Sequence, residues 1–162
     1  MTAVLPSAPE RTERERERLR AVHDAMTKGD VAGAGALAAD ALADGIEHPM
    51  VLSLAAGRLE EADRREEALV LLRRGKALAP QAPGLWNALG LCLCGLARYA
   101  EAVEEFDGAL ALDPRFAPAL ANRGNALMAV GRLNEARRDF EQALALDPDN
   151  MATLDGLAAL SL

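Results

Sequence analysis

The amino-acid sequence predicts an all-α fold built from stacked antiparallel helix hairpins. Three observations lead there: a composition dominated by helix formers, prolines at a fixed interval, and a phrase of small and bulky apolar residues that recurs at that interval. Hydrophobic residues make up 51% of the 162 residues, yet aromatics only 3%, and the excess is Ala and Leu. Both favour helix, while the β-branched and aromatic residues that suit strands are scarce. The length is enough for one domain with a sizeable core.

Pro80, Pro114 and Pro148 lie 34 residues apart. Two of them close the same phrase, Ala-Leu-Ala-Leu-Asp-Pro at 109–114 and 143–148, and the third follows Lys76-Ala77-Leu78-Ala79. Each reads as a helix end followed by a residue that cannot continue the helix. Residues 83–116 run Leu85-Trp86-Asn87-Ala88-Leu89-Gly90, then Tyr99-Ala100-Glu101-Ala102, Phe106 and Ala109. Residues 117–150 answer with Leu120, Asn122-Arg123-Gly124, then Gly131 to Ala136, Phe140 and Ala143. Residues 49–82 carry Leu52, Ala55-Ala56, Glu67-Ala68, Leu72 and Gly75 in the same register. Residues 15–48 fit it weakly, through Gly29, Ala34, Ala41 and Leu42.

The elements follow in order. Residues 1–9, with Pro6 and Pro9, read as a disordered tail. Residues 10–48 form a degenerate first unit led by a charged helix, whose alternating Glu10 to Arg18 suits solvent and whose Leu19, Val22, His23 and Met26 form an apolar stripe at helical spacing. Three units follow at 49–82, 83–116 and 117–150, and residues 151–162, with Leu154 and Leu157, read as the first helix of a further unit or as a cap. Small residues stand where helix axes approach, and Trp86, Leu89, Leu93, Phe106, Leu127 and Phe140 fill the gaps. One hairpin cannot bury its apolar face alone, so neighbours must stack. The first unit, with Gly33 and Gly35 in its second helix, is the least stable on helix propensity. Arg123 falls in the register of the buried stripe, with its stem packed and its head expected in water.

This pattern resembles the tetratricopeptide repeat, most closely in the third and fourth units. The resemblance implies a right-handed α-α superhelix of 34-residue units, with the first helix of each hairpin lining the concave face. At the turn where the family usually has Gly, this chain has Gly131 in one unit and Ala97 in another. Ala97 is strained there if the turn needs positive φ.

The resemblance implies a protein–protein interaction scaffold that takes a peptide or protein segment. By family register Asn87, Leu91, Cys94, Asn122, Asn125 and Met128 point into the groove. Asn offers donor and acceptor to a peptide backbone, and Leu91, Cys94 and Met128 offer soft apolar contact. Charge is depleted there: residues 83–97 carry none, 117–130 only Arg123, and 151–162 only Asp155, while the second helices are rich in it. The basic clamp that related chaperone co-factors use for a carboxylate tail is replaced by Asn87, Leu91, Ala152 and Gly156. The asparagine ladder of O-linked N-acetylglucosamine transferase is matched only at Asn122. Two other readings stand beside this one: an N-terminal module of a larger enzyme of sulfotransferase, glycosyltransferase or aspartyl hydroxylase type, cut before its last hairpin closes, and self-association as a homo-oligomer through the exposed C-terminal helix.

Other functions find little in the residues. A net charge of −7 repels phosphate backbones, so no nucleic acid is expected. No apolar run approaches membrane length and no secretory leader is visible, so no membrane partner is expected and the expected location is cytoplasmic. Ser7, Ser53 and Ser161 are far apart, His23 and His48 lack partners, and no phosphate loop or metal spacing occurs. No enzyme activity, cofactor or metal is expected. Cys92 and Cys94 read as packing residues, and Glu60-Glu61, Glu66-Glu67 and Glu104-Glu105 as hydrated faces.

Overall fold

The computed structural model describes residues 8–160 and places nine helices and no strand among them. α1 (Ala8–Thr27) and α2 (Val31–Ala43) form one hairpin, followed by α3 (Pro49–Glu61) with α4 (Arg65–Leu78), α5 (Pro83–Gly95) with α6 (Tyr99–Leu112), and α7 (Ala117–Ala129) with α8 (Leu133–Leu146). α9 (Met151–Ala159) packs on α7 and α8. The tail expected over residues 1–9 lies outside the described residues up to residue 7, and α1 already runs at Ala8. Ser161 also lies outside them. The hairpins stack into a right-handed superhelix.

Local sequence sets both ends of each helix. Pro49 and Pro83 open α3 and α5 at positions that have no hydrogen bond to lose. Within each hairpin the chain reverses through one left-handed residue: Gly29, Asp63, Ala97 and Gly131 have φ of 74°, 58°, 57° and 80°. These four stand 34 residues apart, so even the degenerate first hairpin keeps the register. Each turn is a Schellman motif; at Ala97 its N–H donates to the Cys94 carbonyl at 2.9 Å and the Arg98 N–H to the Leu93 carbonyl at 2.9 Å. The strain expected at Ala97 is therefore present.

The packing is set by phenylalanine against glycine. A Cβ added to Gly90 would come within 2.5 Å of the Phe106 ring, and one added to Gly124 within 2.5 Å of Phe140. Phe140 also lies against Gly156 of α9, so its ring fits between two successive first helices. Both rings are fully buried. The core runs as one cluster from Leu52 to Ala143, with a smaller one around Val22, Ala38, Ala41, Ile46 and Val51 under α1 to α3.

Three expectations need correction. Trp86 is only half-buried: its ring caps Gly108 on α6, Lys76 stands 4.1 Å over its centroid, and its indole N–H donates to the Pro80 carbonyl at 2.8 Å. In the first helix, Val22 is buried but His23 and Met26 are exposed, since only a narrow stripe of α1 meets α2. Among the glutamates, Glu60 is half-buried and Glu105 pairs with Lys76 at 2.7 Å.

Ala97 is exposed and has no packing to lose. Ala97→Gly relieves the left-handed strain, and thermal unfolding should show a gain of about 1 kcal/mol.

Candidate functional site

α3, α5, α7 and α9 pack backbone to backbone in succession, while consecutive second helices meet through long side chains such as the Lys76–Glu105 pair. The first helices thus line the inner curve. On that face the Asn122 side-chain amide donates to the Asn87 side-chain oxygen at 3.0 Å, bridging α7 to α5. Both residues are half-buried. The bond uses one donor of Asn122 and one acceptor site of Asn87, leaving an amide nitrogen and an amide oxygen of the pair for another group.

The other residues expected in the groove divide in two. Leu91 is 45% exposed, a large apolar side chain open to solvent on a helix without charge, and Asn125 is exposed one hairpin further on. Cys94 and Met128 are half-buried and packed partly against the main core, so each offers an edge rather than a whole side chain. Burial holds the Cys94 thiol above its ordinary range.

Arg123, the only charged residue of α7, does not send its head into water. Its guanidinium makes a two-pronged ion pair with Asp139 of α8, both bonds 2.7 Å, and a third bond to Asp107 of α6 at 2.6 Å. Asp139, a member of the second-helix charges expected on the surface, is 4% exposed. Its hydrogen bonds, ahead of those to Asp107, hold Arg123 protonated well above an already high value. The charge is thus neutralised between three helices, away from the inner face. Sequence reasoning missed the triad, although Arg at a position for a core Leu required an acidic partner on a neighbouring helix.

Deeper in the array, Cys92 is buried, and its Sγ contacts the Arg65 carbonyl at 3.4 Å. Burial first, then the nearby Glu60 carboxylate, pushes its pKa up to about 12. Burial also raises the Glu60 pKa, partly offset by its hydrogen bond with Cys92 and by Arg65. A thiol so disfavoured as thiolate is a poor nucleophile and metal ligand. His48 caps α3, its Nδ1 accepting from the Met50 N–H at 3.2 Å. Among the described residues no group of three or more His, Cys, Asp or Glu is arranged to hold a metal. No helix among them is long and apolar enough to cross a membrane.

Stacked hairpins in a single 34-residue register, with an inner face formed by their first helices, define a repeat solenoid. Residues 83–116 and 117–150 each match the tetratricopeptide repeat family. Residues 83–150 of the chain are thus two tetratricopeptide repeats. Over 68 residues it is 38% identical to Protein FlbA of Caulobacter vibrioides, a match covering 42% of this chain and 11% of that relative. The first tetratricopeptide domain of Spaghetti (RPAP3), solved bound to the HSP90 peptide SRMEEVD, superposes with a TM-score of 0.68 at 26% identity, over 70% of this chain and 90% of that one. YrrB, described as having an unusual peptide-binding site, shares the fold with a TM-score of 0.72 at 22% identity, over 91% of this chain and 75% of that one.

Two outcomes follow. Asp139→Leu leaves Arg123 partly buried without its main partner and should lower stability by about 3 kcal/mol in denaturant unfolding, most of which Arg123→Leu in the same chain should restore. In the native protein at pH 8, mass spectrometry after iodoacetamide treatment should find Cys92 unmodified, and modified only once the chain is unfolded.

Proposed function

We propose that the chain is a protein-interaction scaffold that holds an uncharged polypeptide segment along its inner curve. The observation behind this reading is the charge pattern: α5 has no charged residue, the single charge of α7 is spent on Asp139 and Asp107, and α9 has only Asp155. A face so poor in charge matches the centre of a protein interface more closely than an ordinary hydrated surface. The Asn87–Asn122 pair supplies backbone-directed hydrogen bonding, with Leu91 beside it for an apolar side chain. Asn125 and the exposed edges of Cys94 and Met128 extend the contact.

Likeness to the RPAP3 domain supports a peptide as guest, but its peptide is acidic. Here α5, α7 and α9 offer no uncommitted cation to receive a carboxylate. The guest is accordingly neutral and internal to its chain rather than an acidic tail.

Fluorescence anisotropy tests this with the whole chain, a panel of neutral apolar 12-residue peptides and SRMEEVD as the acidic probe. Neutral peptides should bind, SRMEEVD should not, and Asn122→Ala with Met128→Glu should weaken binding by about ten-fold or more. Tight binding of SRMEEVD, or neutral peptides indifferent to the double substitution, would sink the reading.

A further inference from the structure

Each junction between successive hairpins presents the same three positions on the outer side: one on the second helix of the earlier hairpin and one on each helix of the later. At the last junction they are Asp107, Arg123 and Asp139, bonded together as described. At the middle junction they are Arg73, Leu89 and Glu105; Leu89 is buried and Glu105 is drawn to Lys76. At the first junction they are Ala39, Ala55 and Leu71, a neutral set with two methyl groups where the last junction has a carboxylate and a guanidinium.

The space follows from the chemistry. The last junction keeps a cavity of about 230 Å³ around its ion triad. The first opens to about 500 Å³, within the usual range for small-molecule sites. Its lining is inverted too. Leu42, Leu59 and Leu71 form an apolar bed between α2, α3 and α4; Leu59 keeps the leucine of the last junction, Leu127, while Ala39, Ala55 and Leu71 replace its Asp107, Arg123 and Asp139.

Two arginines stand at this cavity. Arg64 is committed to Glu67, with both bonds at 2.6 Å. Arg58 forms no ion pair with any described residue. Its position is built into the fold: its stem crosses α2 at Gly35, where an added Cβ would come within 3.0 Å of its Cγ and Cδ. Glycine in a helix interior costs stability, and here it makes the trough in which Arg58 lies. A cavity of ligand size, apolar inside, with one uncommitted cation held at its wall, has the complementarity of an amphipathic anion.

We infer that the notch between the first and second hairpins binds a small amphipathic carboxylate, its apolar body among Leu42, Leu59 and Leu71 and its carboxylate on the Arg58 guanidinium. The site is on the outer side of the solenoid and does not depend on the reading of the inner groove.

Octanoate is the probe, titrated into the whole chain carrying ¹³C-labelled leucine methyls, with acetate and 1-octanol as controls. Octanoate should shift the Leu42, Leu59 and Leu71 methyls saturably, acetate should not, and 1-octanol should bind about ten-fold more weakly for want of the ion pair. Arg58→Glu should lower octanoate affinity by a similar factor. Ala39→Asp, Ala55→Arg and Leu71→Asp together rebuild the native triad of the last junction in the notch and should abolish the shifts. If that variant does not fold, Ala62→Glu at the exposed end of α3 puts a repelling charge at the cavity and should weaken binding on its own. Absence of saturable shifts, equal binding of octanoate and 1-octanol, shifts confined to Leu91 on the inner face, or indifference to both Arg58→Glu and Ala62→Glu would each overturn the inference.

Discussion

The superhelix depends on a ring pressed against a bare backbone. Phe106 and Phe140 fit only because Gly90, Gly124 and Gly156 have no Cβ to meet them. Phe140 touches glycines of two successive first helices, so it fixes at once how a hairpin closes and how far away the next one lies. One hairpin earlier, α5 and α7 lie close enough for a hydrogen bond between Asn87 and Asn122. Closely packed interiors transmit changes of a single methylene, so the dimensions of the inner face are set by contacts buried behind it.

Much of this was legible because period and chemistry coincide. The 34-residue interval gave hairpin boundaries to within a residue or two, and the left-handed turn at Ala97 could be anticipated because a repeat shows which residue type its neighbours use there. Partnership between helices was less legible. Register places Asn87 and Asn122 on one face, but they are 35 residues apart, off the repeat by one, and their contact depends on how far α7 is displaced along α5. Asp139 looked like one more surface charge of α8 until Arg123 buried it. Trp86 resembled a core filler, whereas the ring lies at the edge of the stack with a polar nitrogen to satisfy. Periodicity reports which way a residue faces, and only packing decides how much of it is covered.

Repetition also separates what is held constant from what is varied. The leucines at 59, 93 and 127 recur in the last three hairpins, and a glycine–phenylalanine contact, Gly90 with Phe106 and Gly124 with Phe140, closes the third and fourth where the second has Ala56 and Leu72. Bidentate Arg–Glu pairs recur at the start of α4, α6 and α8, on exposed surface where they add little. The outer junction positions are the free ones: an ion triad, a leucine with a charge pair, and a neutral notch occupy the same place in three copies. The architecture tolerates all three because the outer junction is bounded by packing on one side only.

The two separate core clusters have a mechanical consequence. The smaller one ties α1 and α2 to α3, and it meets the larger mainly through the half-buried Leu42. In a linear stack each joint behaves as a spring in series, so flexing concentrates at the softest one. Here the two clusters part along α3, whose Val51 belongs to the smaller and whose Leu52, Ala55 and Ala56 belong to the larger: fraying from the amino-terminal end of the rod stops at that helix, while α5 to α8 stay together as one block.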